Sequence, residues 1–331
     1  MKTSNELLDV VNEYIDNIIY DRKPQSLYEP IKYVLSLGGK RIRPVLMLMA
    51  YNMYKEDIMS ALPCACGIET YHNFTLLHDD LMDNADMRRG KDTVHKKWDS
   101  NMAILSGDTM LVTAFSRMAE CDPTHMPDVI KLFTKTALEI DEGQQYDIEF
   151  ETRDNVMEEE YMEMIRLKTS VLLACAMKIG AILADAPLED QECLYKFGEK
   201  LGLSFQLQDD YLDVYGDPKV FGKNIGGDIT ENKKTFMLIN AMKLAEGNDK
   251  AELEKWCSLS AEQILDDECI RDEKIKAVTA IYNKLSIDKL ARQRMEEYYL
   301  DALHYLDAVS VPAGRKTILF EFAAKMMKRD K

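Results

Sequence analysis

The 331-residue sequence predicts an all-α protein whose helices surround a central cavity, and three observations carry that expectation. Apolar residues recur at three- and four-residue spacing along most of the chain, as in Leu132, Phe133, Thr136, Ala137 and Ile140. Period-two runs rich in β-branched residues, the mark of half-buried strands, are missing. The 20 methionines suit irregular packing between helices. No Pro/Gly/Ser-rich linker, low-complexity tract or solenoid repeat divides the chain, so residues 1–331 are expected to form one domain around one core.

In order, the periodicity predicts helices at 6–20, 27–37, 43–53, 60–83, 103–119, 126–150, 158–184, 189–215, 235–246, 250–257, 272–285, 288–308 and 313–327. The first carries acids inside its apolar pattern, unlike a signal peptide. The second runs into Gly38 and Gly39, a C-terminal stop. Gly143 interrupts the sixth at about 1 kcal/mol relative to alanine, which points to packing or a kink. The most apolar window, 170–184, contains Lys178 and is too short to span a bilayer, so no integral membrane protein is expected. Segment 216–235 (GDPKVFGKNIGGDITENKKT) reads as a loop of functional length. Segment 244–307 reads as amphipathic helix without chemistry.

The net charge of −16 disfavours nucleic acid and anionic membranes as main partners. An anionic small molecule remains compatible where cations gather locally or a metal intervenes. Cys64, Cys66, Cys121, Cys175, Cys193, Cys257 and Cys269 are scattered, odd in number and lack a CxxC pair, which fits a reduced, cytoplasmic setting.

The chemistry concentrates in 71–90 (YHNFTLLHDDLMDNADMRRG). Asp79 and Asp83 are four residues apart, hence one helical turn apart on one face, with Asp80 beside them. Like charges at that spacing repel, so a cation is expected between them. The spacing returns in 205–217 (FQLQDDYLDVYGD) as Asp209, Asp210 and Asp213, with Gln206 one turn upstream. Two such sets facing each other would hold divalent metal ions. Solvated acidic helix faces are the plainer reading of either set alone. Cations gather in 36–44 (SLGGKRIRP) as Lys40, Arg41 and Arg43, and again as Arg88 and Arg89, groups suited to a diphosphate. Lys168 and Thr169 precede a very apolar helix, while Lys223, Lys233 and Lys234 lie in the 216–235 loop. His72 and His78 lack the spacing of metal ligands and read as packing residues.

Taken together, GGKRIRP, HDDLMD with RRG, GQQYD, LKT, FQLQDDYLD, FGK and DITENKKT resemble the trans-isoprenyl diphosphate synthases, the polyprenyl synthetase family. The segments occur in family order across about 36–235, and the last hundred residues carry no matching motif. The resemblance implies an all-helical homodimer, with three Mg²⁺ ions per site bridging both Asp sets and an allylic diphosphate. It places Asp79 and Asp83 on two ions and Asp209 on the third, with Asp80, Asp210 and Asp213 in or near the metal shell. It assigns Arg88, Lys168, Gln206, Lys233 and Lys223 to the allylic diphosphate, and Lys40, Arg43, His72 and Arg89 to isopentenyl diphosphate. Thr169 and Gln206 would offer dipoles to the allylic cation. Asn232 stands where the family has glycine before its lysine, so Lys233 and Lys234 stay open as the active cation.

Product length is expected to follow the apolar slot below Asp79. Phe74 lies five residues upstream, about 7 Å deeper, with Thr75 beside it and Tyr71 deeper still. Helical angles favour Thr75 as the lining residue, whereas the resemblance points to Phe74. A bulky residue there implies short products, farnesyl or geranylgeranyl diphosphate (C15–C20), from dimethylallyl, geranyl or farnesyl primers. A longer-chain synthase is the nearest alternative. A class I terpene cyclase has no use for a second diphosphate site, and a non-catalytic partner subunit would be expected to lack one of the motifs.

Overall fold

The computed structural model describes residues 1–217, 225–259, 263–264 and 267–328. The described chain is helical apart from one short hairpin, so the all-α expectation holds. Its contacts divide it into two compact units.

Unit 1 comprises Met1–Lys135, Cys175–Tyr195 and Ala308–Leu319. Helix α1 (Ser4–Asp16) opens on a capping box: Thr3 accepts from the Glu6 amide, and the Glu6 carboxylate accepts from the Thr3 amide. Helix α2 (Gln25–Ser36) leads to α3 (Ile42–Asn52), in which every residue from Pro44 to Asn52 is buried. Helix α4 (Leu62–Met82) is equally enclosed in its first half and carries the first Asp set at its C-terminal end. That end puts the acids beyond the enclosed half of the helix.

The hairpin was not foreseen. Strands β1 (Met87–Arg88) and β2 (Lys91–Asp92) pair antiparallel, with Arg88 opposite Lys91. The loop between them is Arg89 and Gly90, with φ of 53° and 73°. Two successive left-handed residues form the turn that closes a two-residue hairpin. Strands this short carry no alternation, which is why periodicity missed them. Helices α5 (Val94–Lys97) and α6 (Ser100–Met118) follow, and α6 packs extensively along α4.

Unit 2 comprises Thr136–Ala174, Lys196–Asp307 and Phe320–Lys331. It holds the C-terminal part of α7 (Met126–Thr152), then α8 (Glu158–Ile165). The expected 158–184 helix is broken by a π-helical turn over Arg166–Ser170 before α9 (Val171–Leu183). Two glycines make room for that turn. A Cβ on Gly143 would stand 2.4 Å from the Lys168 amide nitrogen, and one on Gly202 would stand 2.7 Å from Ser170 Cα. The packing reading of Gly143 is therefore right.

Helix α10 (Leu188–Tyr215) carries the second Asp set. Within the segment read as a loop, Gly227–Thr230 forms a single helical turn, α11. Then come α12 (Phe236–Leu244), α13 (Gly247–Cys257), α14 (Glu268–Lys284), α15 (Ile287–Ala308) and α16 (Ala313–Met327). The core of this unit gathers Phe150, Ile165, Leu207, Tyr211, Phe236, Trp256 and Tyr282. Among the described residues no helix is long and apolar enough to cross a membrane.

Candidate active site

In unit 1 the Asp83 amide donates to the Asp79 carbonyl at 2.8 Å, which fixes the two carboxylates one turn apart. Asp80 takes a different part. It is 5% exposed and grips Arg88, whose Nε lies 2.8 Å from both carboxylate oxygens and whose Nη2 lies 2.7 Å from Oδ1. A carboxylate so fully engaged by a guanidinium holds that guanidinium in place.

The cations of SLGGKRIRP separate by role. Arg41 adopts a left-handed backbone, is buried, and pairs with Glu69 at 2.7 Å while donating to the Leu35 carbonyl at 2.6 Å. Glu69 also accepts from Asn73 at 2.9 Å. Arg41 is thus a structural cation, while Lys40 is exposed. Arg43 lies 3.0 Å from His72, and its buried Nε has no hydrogen-bond partner. Burial pulls the Arg43 guanidinium down to about 10. Burial, then Arg43, Arg89, Arg88 and Arg41, hold His72 well below the usual imidazole value, so it meets Arg43 as a neutral acceptor. Arg89 donates to the Gly38 carbonyl, and a Cβ on Gly39 would lie 2.8 Å from Arg89 Nη2. A buried donor without a partner, among positive neighbours, suits an anion.

The slot residues lie along α4. Tyr71 and Phe74 are buried, 5.5 Å apart between ring centroids, and Tyr71 meets Phe133 edge-on, as Phe133 in turn meets Phe115. Phe74 also meets His78 edge-on at 4.8 Å. Thr75 is partly exposed and gives its hydroxyl to the His72 carbonyl at 2.9 Å. The aromatic residue, and not the threonine, joins the buried rings.

In unit 2 a pocket of about 200 Å³ is lined by Lys168, Thr169, Gln206, Asp209, Asp210, Asp213 and Lys233. Five further residues line it, the apolar Met164 and Ile165 and three polar ones to which the sequence assigned no role, Asp147, Tyr161 and Asp228. Lys168 is held by Asp147 at 2.5 Å. Asp210 accepts from Tyr161 and, at 3.0 Å, from Gln206, which in turn accepts from the Thr169 hydroxyl at 3.0 Å. Asp213 receives the Asp228 amide at 2.9 Å. Lys233 lies 3.8 Å from Asp228 and 3.2 Å from Glu231, whereas Lys234 turns to the Asn232 carbonyl. Of the two lysines left open, Lys233 lines the pocket. Lys223 lies outside the described residues.

The electrostatics of this pocket fit a divalent cation. Burial, then Asp228, push the Asp210 carboxyl well above its ordinary value, and burial with Asp213 lifts Asp228 to about 7. Crowded acids that hold protons without a metal release them to one. Among the described residues no group of three or more acid, histidine or cysteine side chains is arranged to hold an ion alone.

Acids that gather metal, beside cations that grip phosphate, equip a protein for metal-assisted diphosphate chemistry. Residues 24–272 match the model of the polyprenyl synthetase family, and the chain belongs to that family as a prenyltransferase. A short chain isoprenyl diphosphate synthase of Methanocaldococcus jannaschii is 43% identical over 265 residues, covering 79% of this chain and 78% of its own. A geranylgeranyl pyrophosphate synthase of Geoglobus acetivorans is 37% identical over 97% of this chain and 96% of its own. A crystal structure of a geranylgeranyl pyrophosphate synthase superposes with a TM-score of 0.94 at 44% identity, covering all of both chains.

Proposed function

We propose that the chain condenses isopentenyl diphosphate with dimethylallyl, geranyl or farnesyl diphosphate, giving C15–C20 products. The observation that supports this best is the presence of two separate anion devices of different design. One has no acids in it, the Arg43 and Arg89 guanidiniums beside a neutral His72 in unit 1. The other mixes acids with Lys168 and Lys233 in unit 2. The first suits a diphosphate that stays attached, and the second a diphosphate that leaves with metal.

On this reading Asp79 and Asp83 in unit 1, and Asp209 with its neighbour Asp213 in unit 2, would hold Mg²⁺, three ions as the family implies. Bound there, Mg²⁺ neutralises the charge that develops on the departing diphosphate. Arg88, fixed by Asp80, and Lys168, fixed by Asp147, add charge-assisted donors. Because the Thr169 hydroxyl donates to Gln206, its oxygen lone pairs are left for the allylic cation. Gln206 is itself braced by Asp210 and, through it, by Tyr161. The double bond of isopentenyl diphosphate attacks, and the released diphosphate takes the proton. No side-chain nucleophile is needed. We place the enzyme in the cytoplasm as a homodimer, following the family and the scattered, odd-numbered cysteines of the sequence.

Incubating the purified chain with Mg²⁺, isopentenyl diphosphate and each primer tests the reading. Chromatography should show products ending at C15–C20. Products well beyond C20, a cyclised hydrocarbon, or no turnover without a second subunit would each overturn it.

A further inference from the structure

The helices after residue 244 offer no chemistry to a reader of the sequence, yet one of them sends a cation into the core beside the unit 2 pocket. Lys274 on α14 is 1% exposed, a rare burial for lysine. It lies just past the segment that matches the family model. Its ammonium donates to Asn232 Oδ1 at 2.6 Å and to the Thr230 carbonyl at 3.3 Å. Asn232 donates its own amide to the Leu259 carbonyl at 2.9 Å. Its backbone is left-handed, with φ of 57°, which asparagine tolerates better than most residues. The next residue is Lys233, which lines the pocket together with Asp228. On the other side of α11, Gly226 lies against Ile275, the neighbour of Lys274.

We infer that Lys274 is a positioning residue: through Asn232 and Thr230 it fixes the turn that presents Lys233 and Asp228 to the pocket. The chemistry favours a role beyond packing. A buried ammonium is costly to desolvate, and an apolar side chain of similar length would fill the same space more cheaply. Here two of its donors are directed at the backbone and side chain of one short segment, 230–232. That segment connects α11 to the lysine at the pocket wall. Burial draws the Lys274 ammonium down to about 8, opposed by Cys257 and assisted by Lys234.

This inference rests on the prenyltransferase reading, and the experiment separates the two. Wild type, Lys274→Met, Asn232→Gly and the double variant are assayed with both substrates varied independently. Lys274→Met should raise KM for the allylic diphosphate, or lower kcat, by roughly tenfold, the scale of one charge-assisted hydrogen bond. KM for isopentenyl diphosphate, whose cations belong to unit 1, should stay within about twofold. Asn232→Gly permits the left-handed backbone and removes the side chain that accepts from Lys274 and donates to the Leu259 carbonyl. It should give the same pattern more mildly, and it covers the case in which Lys274→Met fails to fold. The double variant should lose less than the product of the single losses, since both remove one contact. Equal rises in both KM values, strictly multiplicative losses, or an Asn232→Gly enzyme indistinguishable from wild type would overturn the inference. An inactive wild type would instead overturn the prenyltransferase reading.

Discussion

Asp80 and Asp79 are adjacent in sequence and alike in chemistry, yet their surroundings divide their labour. Asp80 is buried and bidentate to Arg88, so its replacement should reproduce the loss of the arginine. Asp80→Asn keeps the volume and removes the charge that orients the guanidinium. Turnover should fall by about 100-fold, the scale of one lost transition-state donor. Asp80→Asn combined with Arg88→Gln should be little worse than either alone, because the two act as a unit. Steady-state kinetics of the three variants decide it, and multiplicative losses would assign Asp80 an independent part. The acid sets themselves were legible because carboxylates repeat at helical spacing. That Asp80 faces an arginine was not, since sequence spacing says nothing of which neighbour a side chain meets. Tyr161 and Lys274 escaped for a related reason: each is one polar residue in an amphipathic helix and looks like its solvent-facing neighbours, while Asp147 stood in the GQQYD segment with no partner to give it a role.

At the scale of elements, the π-helical turn over Arg166–Ser170 shows what sequence periodicity can locate and what it cannot. The helix around it was expected; the extra residue that widens the turn was not. It depends on Gly143 from α7 and Gly202 from α10 allowing close backbone approach. Lys168 and Thr169 lie within the turn, so its shape sets their aim. Gly143→Ala gains about 1 kcal/mol of helix propensity. The methyl group would nevertheless meet the Lys168 amide, and overpacking of that kind costs about 1–3 kcal/mol. A net loss in denaturant midpoint is expected, together with a rise in KM for the allylic substrate. A variant as stable as wild type with unaltered kinetics would show that the turn is not fixed in this way. The hairpin at Arg88 makes the complementary case. Its left-handed Arg89–Gly90 pair is readable as a turn once the strands are known, but two-residue strands leave no period to find.

For the whole molecule, a net charge of −16 and two anionic substrates are reconciled by local inversion of sign. In unit 1, Arg41, Arg43, Arg88 and Arg89 gather around His72, with only Arg41 and Arg88 offset by an acid among the described residues, while in unit 2 crowded acids share a pocket with Lys168 and Lys233. Removing divalent metal with a chelator should therefore abolish turnover, and added Mg²⁺ should restore it. Activity persisting in chelator would end the metal reading of both Asp sets. The packed rings Phe74, Tyr71, Phe133 and Phe115 have a consequence of their own. If the growing hydrocarbon is halted by the first ring, then taking away Phe74 with Phe74→Ala only lowers the floor to Tyr71. Chain length should then rise like a staircase, one tread for Phe74→Ala and another when Tyr71→Ala is added. Chromatography showing a continuous smear of lengths, or no change, would mean the hydrocarbon takes a path that avoids the rings.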